Sequence, residues 1–200
     1  MRLIGMLDSP YVRRVAVSAH VLGLTYAHEG ISVLRQFDQF AAINPVVKAP
    51  TLVTDAGTVL MDSGLILDHL EKISGKSLMP SDPAAHEQGL RVLGLALAAC
   101  EKSVSIVYEG FFRPDQMRHQ PWVDRVSTQM KTAYRQLEQA VADDWFTGGP
   151  VLQPAITSAV AWRFSRHMVG EYLSKADHPR LAALSARAEE TAAFRAADFS

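Results

Sequence analysis

The chain has 200 residues, of which 48% are hydrophobic, so it can bury a packed core as one domain or as two small ones. Its formal net charge is −1, and acidic and basic residues are mixed along the chain, which excludes a strongly basic surface for nucleic acid or for an anionic membrane. A single cysteine, Cys100, excludes an internal disulfide, and no apolar run is long enough to span a bilayer.

The chain is predicted to begin with a short strand over residues 2–6, followed by a helix. Residues 1–4 form a charged strand start, with Arg2, rather than a signal peptide, so the expected compartment is the cytoplasm. The helix is expected to begin at Ser9, because serine is a favoured cap and Pro10 has no amide hydrogen that needs a partner. Gly23 is expected to end it.

A mixed α/β region is predicted to continue as far as Ile73. Residues 26–31 read as a strand and residues 34–42 as a short helical piece. Residues 51–54 and 58–61 are β-rich and flank a short turn containing Gly57, which predicts an antiparallel hairpin. Asp62 and Ser63 then provide cap chemistry for a helix whose apolar residues recur at helical spacing. The sequence therefore predicts a four-stranded sheet with helices.

A linker over residues 75–83 separates this region from an all-helical one. It contains two prolines, a glycine and two serines, a composition typical of a surface connection. We therefore predict domains at residues 1–74 and 84–200. The clearest helix of the second domain carries apolar residues at Trp122, Val126, Met130 and Leu137, and an apolar helix around residues 156–164 is expected at its centre.

Pro50 lies at the start of the third predicted strand, where a residue without an amide hydrogen is tolerated. If the Ala49–Pro50 bond is cis, the amide and carbonyl of Ala49 are left to pair with an extended ligand, as in strand addition. The alternative is an ordinary trans proline with no such function.

Motifs along the whole chain resemble the cytosolic glutathione S-transferases, and most closely the bacterial members that use serine. They are SPYVRRV near the start, NPVVKAPTLV and LMDSGLILDHLE in the middle, and ITSAVAWRFSRH with HPRLAALSARAEETAAF at the end. The resemblance implies an α/β thioredoxin-like N-terminal domain with a mixed four-stranded sheet, followed by an all-α C-terminal bundle. It also implies that Pro50 follows a cis bond.

The resemblance further implies a role for each residue of a glutathione site. Ser9 would donate a hydrogen bond to the glutathione sulfur, while Lys48 and the backbone of Ala49 would bind the cysteinyl-glycine part. Asp62, in place of the family's commoner Glu or Gln, and Ser63 would bind the γ-glutamyl end at a helix N-terminus. The alternatives are plain helix caps at Ser9 and at Asp62 and Ser63, and an exposed lysine without function.

Four residues of the predicted helical domain are candidates for a partly apolar second-substrate pocket. They are Tyr108, Phe112, Arg113 and Trp162. The alternative is that the aromatic residues belong to the core, since aromatics at helical spacing are commonly buried, and that Arg113 only caps a helix end.

Neither a metal nor a tightly bound cofactor is expected, and glutathione would act as a cosubstrate. No histidine pair has the spacing and neighbouring acid of a helical zinc site, and a Cys-x-x-Cys motif is absent. One departure from the family concerns the central helix of the second domain, where Leu152 and Ala155 replace a reciprocal Ser/Thr and Asp cap. Its loss is expected to cost about 1 kcal/mol.

The predicted function is that of a homodimeric glutathione transferase in detoxification, which activates the thiolate for attack on a small electrophile. Isomerase or peroxidase side activity is compatible with the same site, and the sequence does not choose the electrophile. The alternatives are a non-catalytic glutathione- or ligand-binding protein and a partner-binding adaptor that keeps only the fold.

Overall fold

The computed structural model describes residues 1–142, 145–147 and 149–199. The chain divides into two compact units. The sheet unit consists of Met1–Leu78 together with the C-terminal residues from Glu190, and the helical unit consists of Met79–Glu189.

The sheet unit contains four short strands, namely β1 (Arg2–Ile4), β2 (Ala27–Glu29), β3 (Thr51–Val53) and β4 (Val59–Met61). Their order in the sheet is β2-β1-β3-β4. β1 is parallel to β2 and antiparallel to β3, while β3 and β4 form an antiparallel hairpin. The predicted mixed four-stranded sheet and its hairpin are confirmed.

Eight α-helices are described, and the first three and the last belong to the sheet unit. In chain order they are α1 (Pro10–Leu22), α2 (Phe37–Ala41), α3 (Ser63–Ser74), α4 (Pro83–Phe112), α5 (Gln120–Ala140), α6 (Gln153–Met168), α7 (Pro179–Glu189) and α8 (Ala192–Arg195). Short 3₁₀ helices lie at Asp115–Met117 and Gly170–Tyr172. Within the described residues, no helix has both the length and the apolar character that crossing a bilayer requires.

The predicted helical domain of residues 84–200 differs from the helical unit at its C-terminal end. α8 and the residues after it pack on α1 in the sheet unit. Arg13 of α1, only 1% exposed, donates from Nε to the Ala197 carbonyl at 2.9 Å. Its guanidinium also lies 5.4 Å from the ring centre of Phe194 and 4.8 Å from that of Phe199. These contacts hold the C-terminal segment against the sheet unit.

The core of the helical unit lies along α6, as predicted for an apolar central helix. Within this helix, residues 153–162 are all buried. Its predicted lack of a side-chain cap is also observed, because Leu152 precedes the helix without capping it. The buried face of α5 differs by one position from the predicted apolar face, because Val123 is buried and Trp122 is 43% exposed.

A buried polar network joins three helices of this unit. The Tyr134 hydroxyl of α5 donates to the Ala161 carbonyl of α6 at 2.8 Å and lies 2.7 Å from Ser165 Oγ. Ser165 Oγ is in turn 2.6 Å from Ser103 Oγ of α4. Each of these hydroxyls is therefore satisfied inside the core, as buried polar groups require.

Candidate functional site

The strand register brings three separate segments to one end of the sheet. Ile4 at the end of β1 pairs with Thr51 at the start of β3, and Thr51 pairs with Met61 at the end of β4. The residues that follow Ile4, precede Thr51 and follow Met61 are therefore neighbours. We call this end of the sheet the site edge.

Gly5 allows these segments to come close together. It has φ +133°, and a Cβ atom at this position would lie 2.6 Å from Val12 Cγ2 of α1 and 3.1 Å from the Ala49 Cβ. A side chain there would clash with α1 and would also be strained by the positive φ. The chain after β1 therefore turns directly into α1, with Ser9 at the start of the helix.

Ser9 caps α1, as the start signal predicted. Its Oγ accepts a hydrogen bond from the Val12 amide at 3.5 Å, which is at the long limit for such a bond. Since Oγ is the acceptor in this contact, the contact does not use the hydroxyl hydrogen. The side chain is half-buried at the positive end of the α1 dipole. This arrangement suits a donor to an anionic sulfur.

The turn before β3 contains the cis bond between Ala49 and Pro50. Thr51 Oγ1 donates to the Lys48 carbonyl at 2.7 Å and accepts from Asn44 Nδ2 at 2.8 Å, and both Thr51 and Asn44 are buried. These bonds hold the backbone of the turn in place, whereas the Lys48 side chain is exposed. Asn44 was not predicted as a site residue, and its signal in the sequence was a polar residue in the Asn-Pro pair that precedes the turn.

Asp62 lies at the start of α3 with φ 75°, which is uncommon for a non-glycine residue and often found at functional sites. Its Oδ1 accepts hydrogen bonds from the amides of Gly64 at 2.8 Å and Leu65 at 3.4 Å. The carboxylate therefore does cap the helix, as the alternative reading expected. Because both bonds involve Oδ1, the cap does not use Oδ2.

Ser63 is the buried member of the Asp-Ser pair, with 5% of its surface exposed. Its Oγ accepts a hydrogen bond from Nη1 of Arg14 at 3.2 Å. Arg14 lies in α1 and is 3% exposed. Arg14 was not predicted as a site residue, although an arginine among the apolar residues of α1 is a signal of a buried, hydrogen-bonded guanidinium.

Two of the second-substrate candidates form an aromatic cluster at the C-terminal end of α4. The rings of Tyr108 and Phe112 meet edge to face with their centres 5.4 Å apart, and Phe111 contacts Phe112 in the same way at 5.1 Å. Tyr108 is 45% and Phe112 is 56% exposed. Arg113, next to the cluster, lies 3.3 Å from the buried carboxylate of Glu109.

Trp162 does not belong to this cluster. It is 2% exposed and packs against Tyr134 and His178, with ring centres 5.4 and 5.2 Å away. α4 and α6 run parallel, since Gly89 lies beside Pro154 and Ser103 beside Ser165. Trp162 is therefore level with residue 100, about 12 Å along the helix axis from Tyr108. The prediction that Trp162 lines the same pocket is not supported, because the residue packs in the core.

A groove with a volume of about 370 Å³ lies elsewhere in the helical unit, between α6 and α7. Trp162 contributes to its lining together with the basic residues Arg163, Arg166, His167 and Lys175. Tyr108, Phe112 and Arg113 do not line it. Within the described part of the chain, no group of three or more His, Cys, Asp or Glu residues is arranged to hold a metal ion.

Comparison with known proteins gives a family match over residues 3–77, to the model described as glutathione S-transferase, N-terminal domain. Among curated proteins, the uncharacterized GST-like protein YibF of Escherichia coli is 30% identical over 84 residues, which are 42% of this chain and 42% of that protein. Glutathione S-transferase U4 of Arabidopsis thaliana is 27% identical over 84 residues, 42% of this chain and 38% of the relative. The chain thus matches less than half the length of these relatives.

Solved structures match over almost the whole chain. A glutathione S-transferase from Methylobacterium radiotolerans, in complex with glutathione sulfonate, has a TM-score of 0.88 and 27% identity, covering 97% of this chain and 92% of that one. A glutathione transferase family member from Pseudomonas fluorescens Pf-5 with bound glutathione has a TM-score of 0.83 and 28% identity. The match covers 98% of this chain and 97% of that one.

Proposed function

We propose that this chain, which belongs to the glutathione S-transferase family, is an enzyme that activates the thiol of glutathione for attack on a small electrophile. The observation that carries the proposal is the strand register, which gathers the segment after β1, the cis turn at Pro50 and the start of α3 at the site edge. The Arg14–Ser63 bond ties α1, which begins after Ser9, to the same place. A glutathione sulfonate complex and a glutathione complex among the structural relatives support the same ligand.

Ser9 is the proposed catalytic residue. A free thiol has a pKa of about 8.5, so only a small fraction is ionised at neutral pH. A hydrogen bond from the Ser9 hydroxyl and the positive end of α1 both stabilise the thiolate more than the thiol, and therefore lower its pKa. The nucleophile is then the sulfur of the cosubstrate. The protein contributes the donor and the orientation.

The tripeptide is proposed to lie extended beside the backbone of Ala49. At about 3.4 Å per residue, its two ends are about 10 Å apart, which fits contacts to separate segments of the site edge. The Ser63 hydroxyl binds the γ-glutamyl carboxylate, and Asp62 Oδ2 binds the ammonium group. Lys48, which is exposed, reaches the glycine carboxylate.

The electrophile is proposed to contact the exposed aromatic cluster of Tyr108 and Phe112, together with Arg113. Their apolar rings favour a substrate with an apolar or aromatic part. Trp162 is left out of this pocket because it is buried in the core.

Two other functions are distinguished from catalysis by one titration. Glutathione is added to the protein, and ultraviolet absorbance of the thiolate is followed against pH. A transferase binds glutathione and lowers the pKa of its thiol, whereas a carrier binds it without a shift. An adaptor does not bind it at all, and this outcome would overturn the proposal.

A homodimer is proposed as the working assembly. Apolar side chains on α3 and α4 are exposed in the single chain, with Leu65 68%, Ile73 48% and Leu90 52% accessible. Light scattering should give twice the chain mass of 21.9 kDa. A mass of 21.9 kDa at all concentrations tested would contradict the dimer. A detoxifying role in the cytoplasm is also proposed, in keeping with a soluble cosubstrate, and cell fractionation tests the compartment.

A further inference from the structure

Two adjacent arginines of α1, Arg13 and Arg14, are buried. Burying a guanidinium costs several kcal/mol unless hydrogen bonds compensate. Arg13 donates to the Ala197 carbonyl in the C-terminal segment. Arg14 instead donates from Nη1 to Ser63 Oγ at 3.2 Å. Arg14 is therefore bonded to a residue of the proposed glutathione site.

We propose that Arg14 is a positioning residue that turns Ser63 into a donor for the γ-glutamyl carboxylate, an inference that rests on the proposed function. A guanidinium has donors and no acceptor, so in the Arg14–Ser63 bond the serine oxygen must accept. The single hydroxyl hydrogen of Ser63 then points away from Arg14. A carboxylate needs a donor at this place.

The capping of α3 makes the Ser63 hydroxyl a more important donor for the γ-glutamyl carboxylate. A helix N-terminus normally offers its first amides to an anion, but the amides of Gly64 and Leu65 already donate to Asp62 Oδ1. These two amides are thus engaged within the protein. Ser63 contributes a larger share of the carboxylate binding as a result.

The positive charge of Arg14 also favours binding of the γ-glutamyl carboxylate. A guanidinium stays protonated at every pH at which proteins are studied, and here it lies in buried surroundings where charges are weakly screened. Its positive charge adds to that of the α3 N-terminus. The site therefore attracts the α-carboxylate of the γ-glutamyl group without direct contact between Arg14 and the ligand.

The test compares Arg14→Met with Arg13→Met, which removes an equally buried guanidinium from the neighbouring position. Dissociation constants are measured for glutathione and for an analogue whose γ-glutamyl α-carboxylate is converted to the amide. Arg14→Met should weaken glutathione binding about tenfold and change binding of the amide less than about twofold. Arg13→Met should lower stability and leave both affinities within about twofold of wild type.

A double-mutant cycle tests whether Arg14 acts through Ser63. In a Ser63→Ala background, Arg14→Met should cause a clearly smaller loss of glutathione affinity than in the wild type, because the hydroxyl that Arg14 orients is gone and only the effect of its charge remains. Arg14→Lys, which keeps the charge and a donor, serves as the folded variant if Arg14→Met does not fold, and should lose less than about fivefold.

Equal losses for glutathione and its amide in Arg14→Met, or the same loss in Arg13→Met, would overturn the inference and leave the proposed function intact. Failure of the wild-type protein to bind glutathione would overturn the proposed function itself. The two failures are therefore distinguishable.

Discussion

Ser9 has two tasks that depend on different parts of one hydroxyl. Its oxygen caps α1 through the long contact to the Val12 amide, and its hydrogen is the proposed donor to the sulfur. A cap typically contributes about 1 kcal/mol, and a bond of 3.5 Å falls at the weak end. Loss of the hydroxyl should thus affect catalysis more than folding.

Ser9→Ala is expected to lower turnover on a chlorinated aromatic electrophile by at least about tenfold, because the thiolate loses its donor. The KM for glutathione should stay within about twofold, since the tripeptide is bound by other groups. Steady-state kinetics check this, with Ser9→Thr as the matched control that keeps a hydroxyl. Unchanged turnover in Ser9→Ala would refute the catalytic assignment.

Tyr26 makes stability depend on pH in the alkaline range. Burial raises the pKa of its phenol from 10.0 to about 12. The hydroxyl lies 3.2 Å from His20 Nε2 and 3.5 Å from the Ala16 carbonyl. Burial also raises the pKa of the fully buried Tyr134.

The free energy of unfolding should therefore fall between pH 10 and about 12, because the unfolded chain ionises Tyr26 near pH 10 and the folded chain keeps it protonated. Below pH 10 the contribution is complete. Urea unfolding at several pH values measures the slope of the unfolding free energy against pH. Tyr26→Phe should reduce this slope without abolishing it, because the pKa of Tyr134 is also raised by burial. An identical slope in the variant would contradict the assignment.

At the scale of elements, the start of α7 is capped by a side chain of α5. Glu138 in α5 accepts hydrogen bonds from the backbone amides of Arg180 at 2.8 Å and Leu181 at 2.9 Å, at the start of α7. One carboxylate thus satisfies two end amides and meets the positive end of the helix dipole.

Glu138→Ala is expected to lower the free energy of unfolding by about 1–2 kcal/mol, since two amides lose their acceptor. Glu138→Gln should lose less, because the amide oxygen still accepts. Glu87→Ala removes an exposed glutamate of α4 and serves as the control, with a change within about 0.5 kcal/mol. Chemical denaturation measures all three, and equal losses in Glu138→Ala and Glu87→Ala would contradict the cap.

At the scale of the whole molecule, the chain passes through the helical unit and then returns to the sheet unit. Phe194 of α8 has no exposed surface, and Arg13 lies against its ring. The C-terminal segment is therefore part of the packing of the sheet unit, although it is the most distant segment from α1 in the sequence.

Phe194→Ala is expected to cost about 3–5 kcal/mol of stability, because it leaves a cavity where a buried ring packed against α1. Phe37→Ala, which truncates a ring that is 57% exposed on α2, is the matched control and should cost far less. Thermal and urea denaturation check both. A loss in Phe194→Ala no larger than that of the control would show that the segment does not contribute to the packing.

Much of the fold and of the proposed site was predictable from local patterns. Ser9 and Pro10 predicted the start of α1, the β-rich runs around Gly57 predicted the hairpin, and the Asp62–Ser63 pair predicted the start of α3. Such signals act between residues a few positions apart, where the physics of caps and turns operates. Local patterns therefore assigned the proposed ligand residues to their elements, and the resemblance supplied their expected roles.

Only the tertiary structure decided which distant residues contact one another, at that site and elsewhere in the sheet unit. The Arg14–Ser63 bond joins residues 49 positions apart, and the Arg13 bond to Ala197 spans 184 positions. Local periodicity carries no information about such partners, because side-chain packing between elements selects them. For the same reason, spacing alone could not tell that Trp162 packs in the core while Tyr108 and Phe112 remain exposed.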